Sequence, residues 1–327
     1  MEVLNDNRAK KAKKTIVLPE AFGCDDVVKA GIMCAENKIA KVVLLVEDDS
    51  VQKRFKIVEN EYLKLVNYKT SDLKPMLSSA LYVKRKDKGL TMEGAENLLN
   101  SPVYFGTMMV ELGLVDGMAC GALYTSSDSL RPALQIIKGK TPTSFISSYF
   151  IAISENKTIG DKGVLLLSDC GLNINPTKEN LVDICFDSVK TARSIVGINP
   201  KVALLSYSTL GSAEGDCAIK MREATQLIKQ KNPDFVIDGE FQFDAAVNKN
   251  VAKRKAPNSE LKGDATVLIF PNLESGNIAY KIMQRFAGFK VIGPLCQGFK
   301  KPINDLSRGA DANEILRAVA ITALQCE

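Results

Sequence analysis

Short runs of apolar residues alternate along the chain with longer segments in which apolar residues recur at helical spacing. The runs GVLLLS at 163–168 and ATVLIF at 265–270 are almost continuously apolar, which is typical of strands covered on both faces of a sheet. Alternation of such strands with amphipathic helices predicts an α/β fold. We expect two doubly wound, three-layer domains.

The pattern predicts nine strands and five helices. The strands are expected at 15–18, 41–46, 117–123, 144–153, 163–167, 202–207, 235–237, 266–270 and 290–292. The helices are expected at 25–37, 178–196, 215–230, 276–289 and 310–325.

The length predicts two domains, since 327 residues exceed one domain of about 150. The apolar run at 144–154 is followed by the polar loop ENKTIGDKG, which marks the strongest break in the chain. We therefore expect a discontinuous first domain of residues 1–150 with 298–327, and a second domain of residues 151–297.

The composition contains no histidine. Ser-His-Asp and Cys-His nucleophile pairs, histidine-ligated metals and imidazole proton shuttles are therefore excluded. Acid–base chemistry is left to Asp, Glu, Cys, Lys or Tyr. A net charge of +5, without an arginine-rich tract, favours anionic partners only weakly. Neither nucleic acid nor a membrane is an expected partner.

The eight cysteines show no CxxC pair or finger-like spacing. Neither a disulfide framework nor a zinc site is expected. The first residues lack the apolar segment of a secretory signal, and no apolar run approaches about 18 residues. The expected location is the cytoplasm.

The loop PINDLSRG at 302–309 is dense in groups that bind anions. Ser307 offers a hydroxyl, Arg308 offers a guanidinium that can grip phosphate with two hydrogen bonds, and free helix N–H groups follow. The alternative is helix capping, because Asp311 and Glu314 have the spacing of a capping box.

Two further segments combine hydroxyl groups with arginine. TSSDSLRPALQIIK at 125–138 follows a predicted strand, where open α/β sheets bind ligands, and offers Thr125, Ser126 and Arg131. Its alternative is a helix start with a solvated arginine. Arg85 lies in YVKRKDKGLT at 82–91, for which an exposed charged helix face is the alternative.

Two other segments lie just past predicted strands. The segment SYSTLGSAEGD at 206–216, with its hydroxyl groups and glycines, weakly indicates a phosphate-binding loop. The chain has neither a GxGxxG nor a P-loop motif. Cys170 follows another strand, although a free cysteine is usually a small buried hydrophobe.

Several long motifs occur in an order that resembles the phosphate acetyl- and butyryltransferase family. They are LRPALQIIK at 130–138, SDCGLNINPT at 168–177, ALLSYSTLGS at 203–212, IDGEFQFDAAV at 237–247, KAPNSELKGDATVLIFPNLESGNIAYKIMQR at 255–285 and IGPLCQGFKKPINDLSRG at 292–309. The first 80 or so residues match only loosely.

The resemblance implies reversible transfer of an acetyl group between CoA and phosphate, without a cofactor. It implies a homodimer whose subunits are similar in fold to isocitrate and isopropylmalate dehydrogenases, with a site in the cleft between two domains. The catalytic residues by resemblance are Ser307, Arg308 and Glu314. By resemblance, Arg85, Arg131 and Arg285 line the site. The other residues that we expect to bind substrate are Thr125, Ser126, Cys170 and Tyr280.

The chain departs from the family at three points. Glu314 replaces the usual aspartate that is the proposed base, which lengthens the carboxylate by one methylene. Tyr124-Thr125-Ser126 stands where the family has His-Ser-Thr, so histidine is dispensable here. Glu240 and Phe241 replace Pro and Leu, which is expected to alter a turn or the acyl pocket.

Three other functions stay open on the sequence. The motifs do not separate acetyl from butyryl transfer, because pocket volume decides it. A metal- and NAD(P)-dependent decarboxylating dehydrogenase has the same expected architecture, although no motif supplies its metal ligands or its Lys-Tyr pair. A non-catalytic protein that binds CoA is the remaining alternative.

Overall fold

The computed structural model describes residues 6–141 and 144–326. The chain divides into two compact units, Met1–Pro142 with Phe299–Glu327, and Thr143–Gly298. The run around 147–153 lies in the second unit because it forms a strand that pairs there on both sides. The change of unit therefore falls before this strand, whereas the sequence places it at 150/151.

The strands are β1 (Thr15–Leu18), β2 (Lys41–Val46), β3 (Leu63–Asn67), β4 (Gly117–Cys120), β5 (Ser147–Ile153), β6 (Val164–Ser168), β7 (Lys201–Leu205), β8 (Val236–Phe241), β9 (Val267–Ile269), β10 (Lys290–Gln297) and β11 (Ile303–Asp305). The helices are α1 (Asp6–Ala12), α2 (Asp25–Glu36), α3 (Ser50–Phe55), α4 (Lys74–Arg85), α5 (Met92–Leu98), α6 (Pro102–Glu111), α7 (Ser126–Ile136), α8 (Lys178–Thr191), α9 (Asp216–Gln230), α10 (Phe243–Val247), α11 (Lys249–Lys255), α12 (Leu273–Arg285) and α13 (Ala312–Gln325). A 3₁₀ turn at Lys86–Lys88 follows α4, and a π-helical segment at Ala192–Val196 follows α8.

The first unit contains a parallel sheet in the order β11-β4-β1-β2-β3. Its central strands are apolar and buried along nearly their whole length, as expected for strands covered on both faces. Because the strands are parallel, the loops after β1, β4 and β11 meet at one edge. We call this the carboxyl edge of the first sheet.

The second unit contains a mixed sheet in the order β10-β5-β6-β9-β7-β8. Strands β6, β9, β7 and β8 pair in parallel, whereas β5 pairs antiparallel with both β6 and β10. Its core includes Phe150, Leu167, Leu205 and Phe241. The prediction of a mixed α/β fold with parallel-rich sheets is confirmed.

Local chemistry explains where the element bounds differ from the predictions. Helix α12 begins at Leu273 rather than 276, because the Asn272 side chain accepts a hydrogen bond from the Ser275 N–H and caps the helix three residues earlier. Strand β4 ends at Cys120 because Gly121 turns the backbone with φ of 117°. The sequence does not predict β3 and β11. No helix among the described residues is long and apolar enough to cross a membrane.

Candidate active site

Two of the predicted anion-binding segments lie side by side at the carboxyl edge. Strand β11 pairs in parallel with β4, so the loop after β11 runs beside the start of α7. Ser307 and Arg308 are exposed on that loop, and Thr125 and Ser126 are exposed at the start of α7. Thr125 caps α7 by accepting the N–H of Asp128 at 3.2 Å. The structure thus brings hydroxyl groups, a guanidinium and a helix N-terminus together, the groups that bind phosphate.

A buried carboxylate binds the backbone at this edge of the sheet. Glu20 follows β1, is fully buried, and accepts the N–H groups of Gly121, Ala122 and Leu123 at 2.8, 3.0 and 2.9 Å. Burial raises the pKa of Glu20, although these N–H groups oppose the rise. The carboxylate therefore fixes the turn that leads from β4 to α7.

A second buried carboxylate belongs to Asp305, the last residue of β11. Its side chain faces the β4–α7 turn so closely that a Cβ on Gly121 would overlap Oδ1 of Asp305. Asp305 is 3% exposed, and its Oδ1 and the hydroxyl of Ser129 are the buried side-chain oxygens that find no hydrogen-bond partner among the described residues. Burial raises the pKa of Asp305 to about 6, and the charge of Glu20 adds to the rise.

Arg85 and Tyr104, a residue that the sequence does not single out, both bind Gln135 of α7. The Tyr104 hydroxyl donates to Oε1 of Gln135 at 2.9 Å, and Nη1 of Arg85 donates to the carbonyl of Gln135 at 3.1 Å. Arg131 lies one turn before Gln135 on α7. Burial raises the pKa of Tyr104, and the charges of both arginines oppose the rise. The Arg131 guanidinium forms an ion pair with Asp128 at 3.5 Å, so of the two arginines Arg85 is the one that is fixed beside Tyr104 through Gln135.

Glu314 takes part in the capping box that the sequence analysis gives as its alternative. Its Oε2 accepts the N–H of Asp311 at 3.2 Å, and Oδ1 of Asp311 accepts the N–H of Glu314 at 2.8 Å. The carboxylate is therefore tied to the start of α13, a few residues after Ser307. This geometry rigidifies the loop that carries Ser307 and Arg308.

Of the three candidates in the second unit, Cys170 and Tyr280 pack in the same hydrophobic core, whereas Arg285 lies apart from them. Cys170 is fully buried after β6, packs against Gly276 of α12, and burial raises its thiol pKa well above the usual value. Tyr280 stacks on Phe150 with ring centroids 4.2 Å apart. Arg285 is exposed at the end of α12, about 14 Å along the helix from Gly276 at 1.5 Å per residue.

Glu240, which departs from the family pattern, is fully buried in an ion pair. It receives Nε of Arg222 at 3.1 Å, the N–H of Gly211 at 2.9 Å and the hydroxyl of Ser208 at 2.8 Å. Burial by itself raises the pKa of Glu240, but these donors outweigh it and lower the pKa below the usual value. Glu240 thereby ties the loop after β7 to β8.

Clustered ligand side chains and cavities determine whether a protein can hold a metal ion or a cofactor. No group of three or more Cys, Asp or Glu residues is placed to hold a metal ion within the described part of the chain. A cavity of about 420 Å³ lies beside Asn175, Lys220 and Asn272, near the loops after β6, β7 and β9. Nζ of Lys220 donates there to Oδ1 of Asn175 at 2.7 Å and to two backbone carbonyls, so it holds these loops together.

Comparison with known proteins places the chain in a family. A family model described as "Phosphate acetyl/butaryl transferase" matches residues 3–323. The chain is 42% identical to the phosphate acetyltransferase of Clostridium acetobutylicum, over 98% of this chain and 96% of that protein. The corresponding protein of Acetivibrio thermocellus is also 42% identical, with the same coverage.

Solved structures agree with the sequence relatives. The EutD phosphotransacetylase from Staphylococcus aureus matches with a TM-score of 0.88 and 40% identity, over 99% of this chain and 97% of that one. A phosphotransacetylase from Streptococcus pyogenes matches with a TM-score of 0.90 and 37% identity, over 98% and 97%. A 4-hydroxythreonine-4-phosphate dehydrogenase from Klebsiella pneumoniae shares the fold alone, with a TM-score of 0.54 and 11% identity. The chain belongs to the phosphate acetyl/butyryl transferase family.

Proposed function

We propose that this protein is a phosphate acetyltransferase, which interconverts acetyl-CoA and phosphate with acetyl phosphate and CoA. The observation that carries the proposal is the carboxyl edge, where the Ser307–Arg308 loop lies beside the start of α7. That edge offers charge, hydroxyl groups and helix N–H groups to a phosphoryl group. The chemistry also fits a chain without histidine.

Transfer proceeds directly within a complex of both substrates. The CoA thiolate attacks the carbonyl carbon of acetyl phosphate, the carbonyl oxygen becomes an oxyanion, and the carbon–oxygen bond to phosphate breaks. The proton that the thiol loses ends on the departing phosphate. CoA is a substrate here, and the reaction needs no prosthetic group.

Each of the candidate site residues in the first unit has a role in this reaction. Arg308 binds the phosphate and offsets its developing charge, and Ser307 donates to the thiol sulfur or the oxyanion. Arg85 and Arg131 bind a further anionic group beside Tyr104. Thr125 and Ser126 donate to the acyl phosphate from the start of α7.

The proton transfer sets a constraint on the base. A thiol and an ordinary carboxyl differ by about 4 pKa units, so direct transfer is uphill by roughly 6 kcal/mol. Glu314 stands where the family's base stands and is proposed for that role. The arginines assist by lowering the pKa of the bound thiol. Tyr280 and Arg285 of the second unit are proposed to bind substrate, whereas Cys170 has no exposed surface and is assigned to the core.

The test is CoA-dependent conversion of acetyl phosphate to acetyl-CoA, followed at the thioester absorbance. We expect turnover by the parent protein, a large loss in Arg308→Ala, and no change in Arg193→Ala. Arg193 is a matched control because it pairs with Asp234 on the surface of the second unit. Absence of thioester formation by the parent protein contradicts the proposal and leaves a non-catalytic CoA-binding protein.

The acyl preference is tested with acetyl, propionyl and butyryl phosphates. One methylene is worth about 1–3 kcal/mol in an apolar pocket, so we expect kcat/KM to fall progressively from acetyl to butyryl. A higher kcat/KM for butyryl phosphate assigns the protein to the butyryl branch of the family instead.

We further propose that the protein acts as a cytoplasmic homodimer. The apolar side chains of Ile278, Ile282 and Phe286 recur at four-residue spacing on α12 and its end, and they are 58%, 52% and 90% exposed. Light scattering is expected to give twice the chain mass of 35.6 kDa, and Ile282→Glu is expected to shift it towards the monomer. A monomeric parent protein contradicts this proposal.

A further inference from the structure

One fully buried carboxylate connects the loops that meet at the carboxyl edge of the first sheet. Glu20 follows β1 and has no exposed surface. Its Oε2 accepts the N–H groups of Gly121 and Ala122 at 2.8 and 3.0 Å, and its Oε1 accepts the N–H of Leu123 at 2.9 Å. Both carboxylate oxygens are therefore bound to the turn that joins β4 to α7.

The backbone of Glu20 is itself held in place. Its carbonyl oxygen accepts the N–H groups of Gly23 and Cys24 at 3.2 and 3.1 Å, in the turn between β1 and α2. Leu123 packs on this turn, because a Cβ on Gly23 would lie 2.8 Å from Cδ1 of Leu123. The carboxylate therefore extends from a fixed turn towards the backbone that it binds.

The β4–α7 turn also contacts the loop that carries Ser307 and Arg308. The N–H of Leu306 donates to the carbonyl of Cys120 at 2.6 Å. A Cβ on Gly121 would lie 2.7 Å from both the nitrogen and the carbonyl oxygen of Leu306, so the two backbones touch there. Because Ser307 directly follows Leu306, the position of this loop depends on the turn that Glu20 binds.

The three successive N–H groups that Glu20 binds are of a kind that binds anionic ligands. Backbone N–H groups that point at one spot form a cradle for phosphate or carboxylate. Here a carboxylate of the protein fills the cradle and has no exposed surface. Phosphate is therefore left to the exposed groups further out, which are Thr125 and Ser126 at the start of α7 and Ser307 and Arg308 on the loop after β11.

Resting on the acetyl-transfer function above, we propose that Glu20 is a positioning residue for the groups that bind acetyl phosphate. Its carboxylate fixes the spacing between the hydroxyls at the start of α7 and the Ser307–Arg308 pair. Glu20 touches no substrate and exchanges no proton in the reaction, so proton transfer stays with Glu314. Its effect on catalysis passes through the backbone of the two segments that it holds together.

The test is the steady-state kinetics of acetyl transfer to CoA by Glu20→Gln. The amide has nearly the same shape, but its NH₂ group cannot accept an N–H, so the turn loses a hydrogen bond and shifts. We expect KM for acetyl phosphate to rise about tenfold or more, because a displacement of about 1 Å in a positioning group is costly. A merely structural role would lower the amount of active protein and thus kcat, but would leave KM unchanged.

Two further variants sharpen the test. Ser126→Ala is expected to raise KM for acetyl phosphate in the parent protein, but by less than about twofold in Glu20→Gln, because the hydroxyl is already displaced there. Glu20→Asp keeps the charge and shortens the side chain by one methylene, so the same rise in KM is expected. It replaces Glu20→Gln if urea unfolding shows that the amide variant does not fold.

Asp116→Asn is the matched control. Oδ2 of Asp116, directly before β4, accepts the N–H of Thr15, the first residue of β1, at 2.8 Å. This bond joins the same two strands as Glu20 but at the opposite edge of the sheet, so we expect KM for acetyl phosphate to stay unchanged. An unchanged KM in either folded Glu20 variant, an equal rise in Asp116→Asn, or a full Ser126→Ala effect in Glu20→Gln overturns the proposal. An inactive parent protein contradicts the acetyl-transfer function itself, so the two failures are distinguishable.

Discussion

Replacing Asp305 by asparagine is expected to stabilise the protein at neutral pH. The pKa of Asp305 rises from 3.8 to about 6 in the fold, which is about 2 units or ~3 kcal/mol. Between pH 4 and 6 the folded state retains a proton that the unfolded state has released. The contribution of Asp305 to stability therefore falls as pH rises through this window, and the full penalty remains above it.

Asparagine carries no such penalty because it stays neutral. We expect the free energy of unfolding of Asp305→Asn, relative to the parent, to rise by ~1 kcal/mol from pH 4 to pH 5 and by ~2.5 kcal/mol from pH 4 to pH 8. Urea unfolding of both proteins at several pH values measures it, since other titrations cancel in the difference. A constant difference, or one that falls with pH, refutes the reasoning and makes Asp305 a structural residue.

Three further predictions concern the active-site loop and the Glu240 ion pair. Arg308→Ala is expected to lower kcat/KM more than Arg308→Lys, because lysine keeps the positive charge but lacks the paired hydrogen-bond donors of the guanidinium group. Equal losses of kcat/KM in the two variants argue against bidentate binding of phosphate by Arg308. Glu314→Ala is expected to lower turnover with little change in KM and to reduce stability by about 0.5–1 kcal/mol, whereas Glu314→Gln, which preserves a capping box, restores the stability but not the turnover. If the Gln variant regains full turnover in the same assay, the Glu314 carboxylate is not the base. Arg222→Leu is expected to reduce the free energy of unfolding at pH 7 by roughly 3 kcal/mol, because it leaves Glu240 buried and unpaired. The loss should shrink in urea unfolding as the pH falls, because Glu240 without Arg222 takes up a proton at a higher pH than Glu240 of the parent protein, whose pKa is lowered. A loss that is independent of pH contradicts a charged pair.

The sequence predicts the apolar strands well, because burial on both faces leaves a continuous local signal. The predicted bounds of β1 and β2 coincide with the structure. Strand β11 escapes prediction because IND contains two polar residues, Asn304 and Asp305, that are buried only through pairing with β4 and packing of α13. No local pattern reveals that pairing.

The residues of the candidate site likewise differ in whether the local sequence reveals them. The segments around Ser126 and Ser307 are visible in the sequence because hydroxyls, arginine and helix starts are close along the chain. Tyr104 joins Arg85 and Arg131 only through the packing of α4, α6 and α7, so no spacing predicts it. Glu20 has a weak local signal, an acidic residue directly after a buried strand, whereas the burial of Asp305 depends on the tertiary fold.

Exchange of radioactive phosphate into acetyl phosphate tests the central claim most directly, which is direct acetyl transfer between thiol and phosphate in one complex. The protein is mixed with acetyl phosphate and labelled phosphate, with and without CoA. We predict that labelled acetyl phosphate forms only when CoA is present. The acetyl group must first be transferred to the CoA thiol before it can be transferred back to labelled phosphate. Exchange without CoA would show a covalent acyl-enzyme, and no exchange with CoA would show that the protein does not transfer acetyl groups; either result contradicts the account.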